Sequence, residues 1–188
     1  MRERPIIMGP ESVRAIIAGT KTQTRMVVKP QPCGEFLGTF GPVNVPMFYS
    51  WDDTPGMVRA PFWPEMRLWV REGWSPCDYD TAFTPRFRAD GGEPFSKCWR
   101  SPAVMPRWAS RLTLEVVEVR VQRVQEISEE DARAEGLWRP SDDNPYGTHY
   151  VGEMIDRFAA AWDRINPKAP WASNPFVWAV TFKRVEAV

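Results

Sequence analysis

The stretch Phe176–Val185 constrains the fold more than any other part of the chain. Phe176, Trp178, Val180 and Phe182 alternate there with Val177, Ala179, Thr181 and Lys183. This is the period-two pattern of a half-buried β-strand. Such a strand cannot bury its apolar face alone, so it demands partners from elsewhere in the chain. A second alternation begins at Leu112, with Leu112, Leu114 and Val116 on one face and Thr113, Glu115 and Val117 on the other. It slips near Val119–Val124, where a bulge or bend is expected. Arg67–Glu72 reads as a third strand, with Leu68 and Val70 on one side and Trp69 and Arg71 on the other. Met26-Val27-Val28 reads as a fourth.

Helical periodicity appears in three places. Glu11–Ala18 follows Pro10, carries Val13, Ile16 and Ile17 on one face, and meets Gly19 as its stop. A short helix starts at Ser128, with Asp131 at the capping-box position, and ends at Gly136. A final amphipathic helix runs from Val151 to Ile165 with Ile155, Phe158, Ala159, Trp162 and Ile165 in one stripe. Two segments, about 31–66 and 75–108, are broken by Pro and Gly too often for long regular elements. Helices that do not alternate regularly with strands predict a small α+β barrel in one domain spanning 1–188, with those two segments as insertions.

Ten Trp in 188 residues ask for a use. Either they fill a small barrel and pin down its loops, or one or two of them, with Trp69 a candidate for binding substrate, stack on a flat ligand. The 24 basic and 24 acidic side chains cancel, which argues against a nonspecific nucleic-acid coat. Their distribution is uneven: residues 1–30 hold six basic and two acidic side chains, and 97–111 hold four basic and none acidic. A locally positive cleft follows as an expectation. The absence of a secretory signal or a long apolar window predicts a soluble, cytoplasmic chain with no membrane partner. Cys33, Cys77 and Cys98 suit a reducing compartment, and with His149 they could form a zinc site, although no C-x₂-C knuckle is present. No P-loop, dinucleotide-binding glycine pattern or zincin motif occurs, so no cofactor or metal is expected.

Lys21 and Thr24 lie three residues apart just beyond the first helix. An ammonium withdrawn from water favours its neutral amine, which could take the proton of a threonine hydroxyl. Arg25 could fix an anionic group or a nearby carboxylate. Glu135 stands last before Gly136, where the helix dipole disfavours negative charge, and in a dry pocket it could serve as a general acid. Glu72, at a strand end, could orient Lys21 or Arg25, or form a structural ion pair.

Gly19-Thr20-Lys21-Thr22-Gln23-Thr24-Arg25 resembles the G-x-K-x-x-x-R signature of the ASCH domain family, whose fold resembles the PUA RNA-binding barrel. Arg4-Pro5-Ile6, Val13–Pro30, Leu68–Glu72, Met105–Leu114, Ile127–Gly136 and Asn174–Val185 extend the likeness over nearly the whole chain, towards ASCH-like proteins of bacteriophages and prophages. The resemblance implies a PUA-like β-barrel with a cleft for a modified nucleobase, a nucleoside, or a single-stranded RNA or DNA base. A small bacterial branch deacylates N4-acetylcytidine, which implies Lys21, Thr24 and Glu135 as catalytic residues; Arg25, Glu72 and Trp69 are the candidates for binding substrate. A third reading is an accessory protein whose aromatic-rich loops bind a protein partner over a collapsed cleft.

Overall fold

The computed structural model describes residues 3–32, 36–40, 45–49, 55–57, 60–77, 84–95, 97–137 and 152–185. In chain order its elements are β1 (Glu3–Ile7), α1 (Pro10–Ile17), β2 (Gln23–Val27), β3 (Phe36–Phe40), β4 (Val45–Tyr49), β5 (Pro55–Met57), β6 (Arg67–Arg71), β7 (Trp74–Ser75), β8 (Arg86–Phe87), β9 (Thr113–Arg123), α2 (Glu129–Ala134), α3 (Glu153–Ile165) and β10 (Phe176–Val185).

The main sheet is assembled on β10. That strand pairs antiparallel with β9 on one side and β2 on the other, β9 pairs antiparallel with β6, and β6 runs parallel to β1. The order is β1-β6-β9-β10-β2. The two backbone edges of β10 pair with β9 and β2, and over Phe176–Val180 both of its faces are buried. Phe176, Trp178, Val180 and Phe182 enter the main core with Leu68, Val70, Leu114 and Val116. Val177 enters a second cluster with Phe158 and Trp162 of α3. The alternation predicts one buried face, and α3 supplies cover for the other.

The slip in β9 is a bulge, although it falls earlier than the sequence predicts. Thr181 opposes Glu118 and Phe182 opposes Val116, which leaves Val117 as the extra residue, 51% exposed. Val116 and Val119 are an odd number of residues apart and would face opposite ways in an unbroken strand. The bulge returns Val119 and Val121 to the face of Leu114 and Val116.

The expected PUA-like β-barrel is corrected by this sheet. It is an open, mixed α+β sheet, and among the described residues β1 and β2 are its unjoined edges. Closure would bring those edges to about 4.8 Å. Instead α1 follows β1 after only Met8 and Gly9, and packs Val13 and Ile16 into the core beside Ile6 and Met8. α1 and the cavity it borders take the place of the closing strand pair. An ASCH-type or PUA-like barrel therefore does not describe this chain. The β3-β4-β5 and β7-β8 sheets lie within the two segments predicted to be irregular.

Smaller differences have local causes. Ile17 of α1 is 41% exposed and Ile165 of α3 is 70% exposed, so each predicted stripe ends before its last member. Met154 joins Phe158 and Trp162 as the buried stripe of α3. No helix among the described residues is long and apolar enough to cross a membrane.

Candidate functional site

Two helix ends meet at Lys21. α1 stops at Gly19, whose φ of +76° is readily reached only by glycine, and the amides of Thr20 and Lys21 both donate to the Ala15 carbonyl. The Ser128 hydroxyl caps α2 by accepting from the Asp131 amide at 3.1 Å. α2 ends at Glu135, which forms an isolated antiparallel bridge with Lys21. The Thr22 amide donates to the Ala134 carbonyl at 2.8 Å, and the Phe182 amide donates to the Thr22 carbonyl at 2.8 Å. Gly136, at φ +76°, has to be small for a second reason. A Cβ there would stand 2.7 Å from the Lys21 Cβ and 2.8 Å from the Ala15 Cβ.

The side chains at this junction form one buried ionic network. Lys21 Nζ donates to Glu135 Oε2 and to the Glu135 carbonyl, each at 2.8 Å. The carbonyl contact also places a cation at the negative end of α2. Arg25 Nη1 donates to Glu135 Oε1 at 3.1 Å, and Nη2 donates to Asp131 Oδ2 at 2.8 Å. Gln23 accepts from Arg25 and donates to Asp131 at 3.1 Å. Arg120 donates to both Asp131 carboxylate oxygens. Lys21, Gln23, Arg25 and Glu135 are all buried. Removing one partner of such a pair costs roughly 3–5 kcal/mol, because the other charge is left stranded.

The network closes the inner end of a cavity of about 1170 Å³ between α1, α3 and the two sheet edges. Met26, Phe158, Trp162 and Trp178 contribute apolar wall, while Glu11, Arg14, Lys29 and Arg164 stand at the exposed mouth. Thr24 lines the cavity too, but from the opposite face of β2. It pairs with Val180, whereas Gln23 and Arg25 pair with Thr181 and Ala179. Among the described residues no hydrogen bond joins its hydroxyl to Lys21 or Glu135. Lys21 and Glu135 thus touch directly, and Thr24 shares only their space. Both oxygens of Glu135 already accept from cations, so its predicted role as an acid requires one of those contacts to give way.

Glu72 and Trp69 are not part of this cavity wall. Glu72 accepts from Arg111 at 2.9 and 3.1 Å, so of its two predicted roles the structural ion pair is the one present. Burial pushes the Glu72 carboxyl above its ordinary value, against the opposing pull of Arg111. Arg111 also binds Asp90 at 2.7 Å. Burial opposes the Arg111 charge, but its bonds to Glu72 and Asp90 prevail and raise its pKa. Trp69 is buried, with the guanidinium carbons of Arg71 and Arg107 4.7 and 5.9 Å from its ring centroid. Cys33 and His149 of the predicted zinc set lie outside the described residues. Among the described residues no group of three or more His, Cys, Asp or Glu could hold a metal ion.

No family model matches the chain, and no curated protein matches it. A crystal structure of protein EF3133 from Enterococcus faecalis V583 (DUF984) is similar at 10% identity, with a TM-score of 0.45 over 98% of this chain and 81% of that one. A likeness this low carries no argument about fold or function.

Three network members escape the sequence reading. Asp131 reads only as a capping residue, and Gln23 and Arg120 carry no signal alone. A usable pattern existed nonetheless. Lys21, Gln23 and Arg25 share a period of two, and Asp131 and Glu135 share the i,i+4 face of a helix. The first set supplies the donors that the second accepts.

Proposed function

We propose that the cavity binds a nucleoside-type ligand, with the polar edge of the base at the Lys21–Glu135 pair. One observation carries this reading: Lys21 Nζ spends two of its three donor protons on Glu135, which leaves one for a ligand acceptor at the inner end. A base offers such an acceptor as a ring carbonyl or ring nitrogen. Its flat faces match an apolar wall that includes Met26, Phe158 and Trp178. Arg25 acts behind Glu135, holding the carboxylate that holds Lys21.

A second reading, hydrolysis of an N4-acylcytidine-type amide, is favoured by the Thr24 hydroxyl in the same cavity wall. The third Lys21 donor would then face the acyl oxygen as negative charge develops on it. The Thr24 oxygen would bond to the acyl carbon, its proton would pass to the leaving amino group, and water would cleave the acyl-threonine. Glu135 would relay that proton only after exchanging its contact with Lys21 for the amine.

Calorimetry with the common nucleosides and N4-acetylcytidine tests both readings, with released acetate assayed in the same mixtures. Binding that weakens at least about tenfold in Lys21→Met, measured well below that variant's lowered melting temperature, supports the pocket; one lost hydrogen bond to a charged group is worth that much. No binding across the panel overturns it. Acetate release abolished in Thr24→Ala with binding intact supports hydrolysis, and binding of N4-acetylcytidine without turnover rejects it.

A further inference from the structure

The charges around the cavity fall into two zones. At the inner end, Lys21 is neutralised by Glu135, and Arg25 by Glu135 and Asp131. At the mouth, the exposed cations Arg14, Lys29 and Arg164 stand with one exposed carboxylate, Glu11, which approaches Arg164 at 3.5 Å. Arg14 Nη1 donates to a neutral acceptor, the Ala89 carbonyl, at 3.0 Å. No carboxylate pairs with Lys29 among the described residues. Three cations against one carboxylate leave the mouth net positive, while the inner end carries no surplus.

We propose that the ligand is a nucleotide, with its phosphate held at the mouth by Lys29, Arg164 and Arg14. This rests on the nucleoside reading above and adds the anionic group to it. An uncharged base suits the inner end, because an anion there would compete with Glu135 and Asp131 for cations they already hold. A phosphate suits the mouth, where Arg and Lys side chains have donors to spare and need not be buried to bind. The cavity also has room for more than a base. Its volume of about 1170 Å³ exceeds the roughly 300–1,000 Å³ of pockets that enclose drug-sized ligands. Arg25, for which the sequence leaves open an anionic group or a nearby carboxylate, holds the carboxylates of Glu135 and Asp131 with a wholly buried side chain, so the phosphate falls to the exposed cations.

The test is calorimetry at low and high salt with cytidine, uridine, adenosine and guanosine, each beside its 5′-monophosphate. For at least one base the monophosphate is expected to bind about tenfold or more tighter at low salt, and the gap is expected to narrow as salt screens the exposed cations. The Lys29→Gln/Arg164→Gln double variant, altered only at exposed positions, is expected to lower the affinity for that monophosphate most of the way to that of its nucleoside, with Arg14 left in place. A dinucleoside monophosphate separates the two sources of a phosphate: equal affinity assigns the backbone of a strand, and weaker binding assigns a terminal phosphate. Nucleosides that bind as tightly as their monophosphates overturn the inference and leave the nucleoside reading standing. A phosphate preference unmoved in the double variant overturns it as well. If neither nucleosides nor nucleotides bind, both readings fall.

Discussion

Glu72 and Glu135 are both buried carboxylates, and their neighbours give them different consequences. Glu135 accepts from two cations on separate elements and ties β2 and the segment before it to the end of α2. Glu72 depends on Arg111, which it shares with Asp90. Burial raises the Glu72 pKa, so the folded state holds this proton more readily than the unfolded chain does. The sign follows. Its contribution to stability is fully present below the ordinary carboxylate value, and is lost as pH rises through the raised one. Denaturation measured at steps of pH upward from about 4 should show this loss in the wild type and its removal in Glu72→Gln. A wild-type and variant difference that does not change with pH would reject the assignment. From sequence, Glu72 was legible as one half of an ion pair at a strand end, but its partner 39 residues away was not.

At the scale of elements, α3 shows what periodicity specifies and where it stops. Phe158 and Trp162 were legible as core because they lie four residues apart on an apolar stripe, and they pack with Val177 behind β10. Ile165 continues the same stripe yet projects from the last position of the helix, beyond the reach of the sheet. Phe158→Ala should therefore cost about 3–5 kcal/mol of stability. Ile165→Ala should stay within about 0.5 kcal/mol. Urea denaturation of the two variants decides the matter, and equal costs would mean that α3 docks differently. The bulge at Val117 makes the same point for β9. The failed alternation was visible in the sequence, but its position was set by the pairing with β10, which keeps Val119 and Val121 on the face of Leu114 and Val116.

For the whole molecule the open sheet has a measurable consequence. In a closed barrel the outer amides of β1 and β2 would be paired. In the open sheet each edge strand leaves its outward-pointing amides without strand partners. Hydrogen exchange should show the central amides of β10, from Val177 to Val180, among the slowest in the chain. Alternate amides of β1 and β2 should exchange much faster. Uniform protection along both edges would restore the barrel. The cavity belongs to this scale too, since its walls come from both edges together with α1 and α3.

Taken alone, the sequence determined the strands and helices that carry strong periodicity and the glycine stops at Gly19 and Gly136, the first of them just before Lys21. Those signals are local: apolar spacing and backbone freedom act within a few residues. The closure of the sheet, the partner of Glu72 and the joining of Lys21 to Glu135 across 114 positions were decided by tertiary structure. Each depends on which elements lie side by side. The short link from β1 into α1 placed a helix where a barrel would have closed, and that placement left the cavity open beside the Lys21–Glu135 pair.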